Sequence, residues 1–292
     1  MSLKEMENEK LQSHPCFSTQ CQPNTGRIHL PVAPSCNIFC RFCSRGLTKH
    51  IITPGQAVRV LAPEEALEAV SMALSLCPEL RVVGVAGPGD PLATDDALAT
   101  MIMVKERYPF LINCLSTNGL ALASSMERVL AAGIETITVT VNAVNPAILA
   151  MLNGGVQVNG CVIGGQEGAK ILIGAQERGL RLASENHMVI KVNIVLVPGV
   201  NDGHIGQVAE KVKAWGASLI NVIPLIPSNA MASVPAPTDE DNVRAVSEAE
   251  KHLPVKRNCR RCRADACGIP GISEFSQEIY KGLGPVDTFS HG

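Results

Sequence analysis

Aromatic residues are scarce in this chain: one Trp, two Tyr and six Phe among 292 residues, 3% in all. Platforms for stacking nucleobases are correspondingly few. Neither sign of charge is in excess. Lys and Arg total 25 against 27 Asp and Glu, a formal net charge of -2, so no basic face awaits a polynucleotide backbone. No apolar run approaches the ~20 residues that span a bilayer; the longest, such as 82–86 and 192–200, fall far short. The opening residues are polar and show no secretory prefix. These absences predict a cytoplasmic protein that engages neither nucleic acid nor membrane, and a monomer is expected.

What is abundant is cysteine, with 11 residues, and aliphatic side chains within a hydrophobic content of 46%. An odd cysteine count without a secretory leader argues for reduced thiolates that hold metal rather than for disulfides. A core of Val, Ile, Leu, Ala and Met suits buried parallel strands. The length fits one large domain or two small ones.

Strand-like and helix-like stretches alternate. A first strand is predicted over 28–33, within residues 1–35 where Pro15, Pro23, Pro31 and Pro34 would break any helix. Further strands are expected at 80–86, 111–116, 136–141, 189–197 and 219–223, with helices at 62–76, 95–107, 124–132, 168–182, 205–215 and 239–252. Six strands alternating with helices give an α/β protein, a barrel or strongly curved open sheet. The glycine-rich connection over 153–166 reads as a mobile surface loop, with a lid as the alternative.

The chemistry concentrates in the cysteines. Cys36, Cys40 and Cys43 form a CxxxCxxC run directly after the first strand. Three thiolates at this spacing reach three irons of a cubane and leave the fourth iron open to a chelating cofactor. Structural zinc is the competing reading, but it normally takes four protein ligands. A second group, Cys259 and Cys262 with Cys267 close behind, lies among Arg and Lys, and Cys16 and Cys21 lie near the start. Cys114 sits near the end of a predicted strand, which points it toward a barrel mouth. Cys77 and Cys161 read as packing or incidental surface thiols. His14 and His29 are the nearest imidazoles to these groups, and Lys191 and Asn193 alternate on one strand face.

The CxxxCxxC run, with Phe42 before its third cysteine and Gly87-Pro88-Gly89-Asp90-Pro91 one strand later, resembles the radical S-adenosylmethionine (SAM) superfamily. That resemblance implies a partial (β/α)6 TIM-like barrel with cysteine-bearing N- and C-terminal extensions. It also implies a [4Fe-4S] cluster on Cys36, Cys40 and Cys43 that donates one electron to SAM. Phe42, Gly87, Pro88, Gly89 and Asp90 would line SAM, and Asn118, Asn142 and Asn193 are further candidates at strand ends. Domain limits follow as a strap over 1–35, a barrel over 36–253 and a tail over 254–292.

More of the chain is similar to one branch of that superfamily, the nitrogenase-cofactor maturases: His14-Pro15-Cys16-Phe17, 26–34, 86–93, 114–120, 138–145, 192–202 and 259–266. The likeness is to a short form that ends without a C-terminal cofactor-carrier module. It implies an enzyme that fuses two further [4Fe-4S] clusters, with a SAM-derived carbide and an added sulfur, into an eight-iron precursor. Methyl transfer and then hydrogen abstraction by a 5'-deoxyadenosyl radical would drive it. Cys16 and Cys114 would hold one substrate cluster, and Cys259 and Cys262 the other. Cys114 would then serve the reaction beside the triad. Cluster-donor proteins, a small electron donor and a cofactor carrier or nitrogenase assembly scaffold are the implied partners. Two positions depart from the family pattern. Cys21 stands where a His pair is usual, and a cysteine after the triad is missing, for which Cys267 or His50 would substitute. A radical SAM enzyme with auxiliary clusters acting on a small molecule or peptide is the alternative, and a noncatalytic cluster carrier the third reading.

Overall fold

The computed structural model describes residues 14–18, 24–43, 55–257 and 262–280. In chain order its elements are β1 (Gly26–His29), β2 (Ile38–Cys40), α1 (Pro63–Leu76), β3 (Leu80–Val85), α2 (Asp96–Arg107), β4 (Ile112–Thr117), α3 (Met126–Ala131) and β5 (Ile134–Thr140). There follow α4 (Pro146–Leu152), β6 (Asn153–Val158), β7 (Cys161–Ile163), α5 (Gly165–Glu185), β8 (Val189–Leu196), α6 (Ile205–Ala214), β9 (Leu219–Pro224), α7 (Asp239–Glu250), β10 (Cys267–Gly268) and α8 (Ser276–Ile279).

Six strands run parallel in the order β1-β3-β4-β5-β8-β9, and β10 adds antiparallel to the outer edge of β1. The sheet is that of a partial TIM-like barrel, as expected. Helix starts follow local chemistry. Pro63 opens α1 with Glu64 and Glu65 in its first turn, where the helix dipole favours acid. Asn145 caps α4 by accepting from Ala147 N–H, and Pro146 follows.

Strand faces divide the barrel chemically. Ile28, Val83, Leu115, Ile137, Val139, Val192 and Ile220 join the main apolar core, where burial of each contributes about 1.5–3 kcal/mol. The alternating residues between them face the lumen, and many are polar: Arg27 and His29 on β1, Cys114 and Ser116 on β4, Thr136, Thr138 and Thr140 on β5, Lys191 and Asn193 on β8, Asn221 on β9. Register aligns His29, Gly84, Cys114 and Thr136 in one row across four strands. The next row carries Ser116, Thr138 and Lys191.

The connection expected to be a mobile loop is instead ordered. β6 and β7 form a hairpin whose Val158–Cys161 pair closes on Asn159 and Gly160, with φ of 51° and 79°. Both values match the two-residue turn that Asn-Gly favours. β2, which lies inside the CxxxCxxC run, pairs antiparallel with β6, Ile38 opposite Val156 and Cys40 opposite Asn153. The hairpin thus serves as a backing sheet for the cysteine loop.

Candidate radical SAM site and lumen thiols

A cavity of about 280 Å³ opens at the C-terminal ends of the parallel strands, on the order of the ~300 Å³ at which small-molecule pockets begin. Cys36, Cys40, Phe42 and Cys43 line one wall, and Pro88, Gly89 and Asp90 line another. Asn118, Asn142 and Asn193 also contribute, together with Cys262. The structure therefore brings most of the sequence candidates to one mouth. Gly87 stands just behind this lining.

Hydrogen bonds weld the Gly-Pro loop to the chain that delivers Cys36. Gly89 N–H donates to Ala33 O (2.7 Å) and Asp90 N–H to Ser35 O (2.7 Å). A Cβ on Gly89 would lie 1.9 Å from the Ser35 carbonyl oxygen, so only glycine permits this approach. The Asp90 carboxylate accepts from the Thr117 hydroxyl (2.9 Å) and from Asn118 N–H (2.6 Å). Asn118 Nδ2 in turn donates to Asn37 Oδ1 (2.7 Å). Asn142 accepts from Val195 N–H and ties β8 to the loop after β5. Asn193 accepts from Asn221 Nδ2 (3.2 Å).

Below the mouth lies a second set of thiols. Cys114 sits in mid-strand on β4, deeper than the barrel mouth where the sequence placed it. Cys16, presented by the Pro15–Phe17 turn, packs with Cys114 against Phe17, Val189 and Leu219. Lys191 Nζ donates to Cys16 O (3.0 Å) and lies 4.8 Å from the Phe17 ring centre. The buried Lys256 donates to Pro15 O (3.2 Å) and Ser18 O (2.6 Å). His29 stands between the thiols: its Nδ1 is 3.2 Å from Cys262 Sγ and donates to Arg263 O (2.9 Å). Arg27 Nη2 donates to Cys262 Sγ (3.7 Å).

This environment sorts the thiols by acidity. Burial opposes ionisation of Cys16 and Cys262, but the imidazoles of His14 and His29 beside Cys16, the His29 charge beside Cys262 and Arg27 near both overcome it and lower both. Burial likewise opposes charge on His29, yet the Cys262 thiolate holds its pKa up. At Cys114 burial prevails over the Thr136 hydrogen bond and the Lys191 charge and pushes the thiol up to about 12. Among the described residues no three His, Cys, Asp or Glu side chains converge on one point as a single ion's ligands. A cubane, by contrast, spreads its protein ligands over separate irons, and three cavity-facing thiols beside an open cleft suit that donor set.

One expectation changes. Cys267 does not reach the lumen: β10 pairs it with Ile28, on the helix-packed face, where it is fully buried and burial raises its pKa. Cys77 is buried in packing as expected and Cys161 is exposed. Cys21, Cys259 and His50 lie outside the described residues. Sequence reasoning also passed over Arg27, Ser116, Gln176 and the threonines of β5. Their signal was a period of two, as in Thr136, Thr138 and Thr140, set within otherwise apolar strands.

Half-barrel, cysteine loop and Gly-Pro loop together define a radical SAM protein, and the family model of the Radical SAM superfamily matches residues 30–212. The same architecture recurs in a radical SAM methyltransferase from Sphaerobacter thermophilus, with TM-score 0.59 at 19% identity over 80% of this chain and 66% of that one. It recurs in Streptococcus suis SuiB bound to S-adenosylmethionine, with TM-score 0.56 at 15% identity over 86% and 53%. Within the superfamily this chain belongs to the NifB family. It is 41% identical over 273 residues to FeMo cofactor biosynthesis protein NifB of Methanocaldococcus infernus, covering 93% of this chain and 90% of that one. Against the namesake of Azotobacter vinelandii it is 37% identical over 272 residues, 90% of this chain and 54% of the relative. No helix among the described residues is long and apolar enough to cross a membrane.

Proposed function

We propose that this radical SAM enzyme of FeMo cofactor biosynthesis fuses two [4Fe-4S] substrate clusters into an eight-iron precursor, with a carbide drawn from SAM and one added sulfur. The observation that carries the reading is a vertical arrangement of thiols. Cys262 lines the upper cavity with Cys36, Cys40 and Cys43, and also meets His29 in the lumen beneath. Cargo held by Cys16, Cys114 and Cys262 would therefore lie below the SAM site, among the polar lumen side chains and above the apolar floor of Phe17, Val189 and Leu219. Cys259, three residues before Cys262 in the sequence, is the remaining proposed ligand.

Cys36, Cys40 and Cys43 would hold the SAM cluster, with the Gly87–Asp90 loop facing it. When bound, this pair supplies a one-electron reductant, a transferable methyl group and a 5'-deoxyadenosyl radical. The protein's own part is to position and to exclude. Arg27, His29 and Lys191 place positive charge around anionic cargo, and Phe17 with Val189 and Leu219 closes the lower end against water. Electron delivery falls to a small redox partner, cargo supply to cluster-donor proteins, and product removal to a carrier or nitrogenase assembly scaffold.

Anaerobic reconstitution tests this reading. A chain with Cys36, Cys40 and Cys43 all replaced by Ala should keep a substantial cubane signal in electron paramagnetic resonance, with labile sulfide to match. Loss of all cluster iron from a folded chain would sink the cargo sites. The intact enzyme given SAM should yield both S-adenosylhomocysteine and 5'-deoxyadenosine, whereas 5'-deoxyadenosine alone would favour an enzyme of small molecules or peptides.

A further inference from the structure

Asn118 has every polar group engaged, and its partners come from several separate segments. Its backbone N–H donates to Asp90 Oδ2 (2.6 Å), and its carbonyl accepts from Gln176 Nε2 (2.8 Å). Its side-chain oxygen accepts from Leu120 N–H (2.8 Å). Two amide hydrogens remain. They go to Asn37 Oδ1 (2.7 Å) and to Cys36 Sγ (3.7 Å). The amide orientation is forced by chemistry, because Leu120 N–H can only donate and must meet the oxygen.

Gln176 is the brace behind this residue. It projects from α5, and its Nε2 bridges the carbonyls of Asn118 and Thr140 (2.8 and 2.9 Å). Both partners are acceptors, so the nitrogen must face them. Its Oε1 is buried without a hydrogen-bond partner, an unfavourable position accepted only where the nitrogen's placement matters. Gly119, at φ +84°, makes room: a Cβ there would lie 3.0 Å from Gln176 Cγ and 2.9 Å from Val139 Cγ1. Backbone, side chain and brace thus aim a single N–H at one of the three cluster thiols.

Hydrogen bonds to ligand sulfurs stabilise the more electron-rich state of an iron-sulfur cluster and raise its reduction potential. We infer that Asn118 tunes the SAM cluster by an N–H···S bond to Cys36, and that Gln176 is the positioning residue that holds Asn118 in place. The inference rests on the radical SAM reading of Cys36, Cys40 and Cys43. It assigns the Ser-Thr-Asn-Gly turn a redox role in addition to lining the cavity.

The test is a potentiometric titration of the anaerobically reconstituted full chain. It follows the paramagnetic signal that changes when SAM is added, in the parent, Asn118→Leu and Gln176→Leu. At the parent's midpoint the reduced-to-oxidised ratio should fall about tenfold in Asn118→Leu, about 59 mV for a one-electron couple. Gln176→Leu should move the same way and less far. An unchanged midpoint in Asn118→Leu overturns the inference. So does loss of the cluster from both variants, which would reduce the two side chains to loop scaffolding. A parent without any SAM-responsive signal would instead overturn the cluster reading on which the inference stands.

Discussion

Glu274 shows how burial alone writes a pH dependence into this fold. Burial raises its carboxyl to about 7, against hydrogen bonds from Ser276 that act to lower it. A carboxylate raised above its unfolded value favours the folded state most while protonated in it. Its contribution is therefore fully present below the unfolded value of 4.5 and is lost as pH rises through about 7. Urea melts between pH 5 and 8 should show stability of the parent falling with pH relative to Glu274→Gln, which should lack that component; parallel curves would contradict the assignment. Residues also differ in how visible they are before the fold is known. The cysteine triad declares itself because its spacing is its function. Gln176 is harder, yet it lies four residues from both Leu172 and Leu180 on the apolar stripe of α5. A polar side chain on a buried stripe needs partners, and only the tertiary structure supplies them.

At the level of elements, the six parallel strands were legible because continuous Val- and Ile-rich runs separated by helix-length amphipathic stretches allow little else. The hairpin of β6 and β7 was not read, although Asn159-Gly160 between two short apolar runs is a strong turn signal. Gly154, Gly155, Gly164 and Gly165 on either side made the stretch look like loop. Its value lies in what it holds. Asn153 Oδ1 accepts from Phe39 N–H (3.2 Å) and Gly155 N–H (2.9 Å), joining the cysteine loop to the hairpin. Asn153→Ala removes the acceptor shared by both N–H groups and should cost on the order of 2 kcal/mol. Urea denaturation would report the loss, and faster amide exchange confined to 38–40 and 153–163 would locate it. Unchanged exchange there would show that β2 needs no such tie.

Across the whole molecule, the sequence announced where metal chemistry lies but not how the pieces meet. Cys16, Cys114 and Cys262 are separated by long stretches of chain, and no local pattern states that one lumen gathers them. What gathers them is the alternation of the strands, which turns His29 and Cys114 to the same face, and two basic side chains that pin a turn. Cys267 shows the limit of counting. It is near Cys262 in sequence, yet the antiparallel pairing of β10 turns it into the helix-side core.

The pairing of β10 with β1 has a consequence in time as well as in space. Arg27 donates to Gly268 O (3.3 Å), Tyr280 donates to His29 O (2.6 Å) and Lys256 grips the turn at Pro15 and Ser18. Residues 15–29 and 256–280, far apart in the sequence, are thus clasped to each other around the lumen. A chain halted at residue 257 has its six parallel strands but neither Cys262 nor the strand that covers β1. Such a chain should retain less iron after reconstitution than the full protein, beyond the loss caused by Cys262→Ala alone; equal retention would show the clasp to be dispensable. Growing on the ribosome, the enzyme has a barrel before it has a vessel, and on the proposed function inorganic cargo would be held only once residues 262–280 are in place.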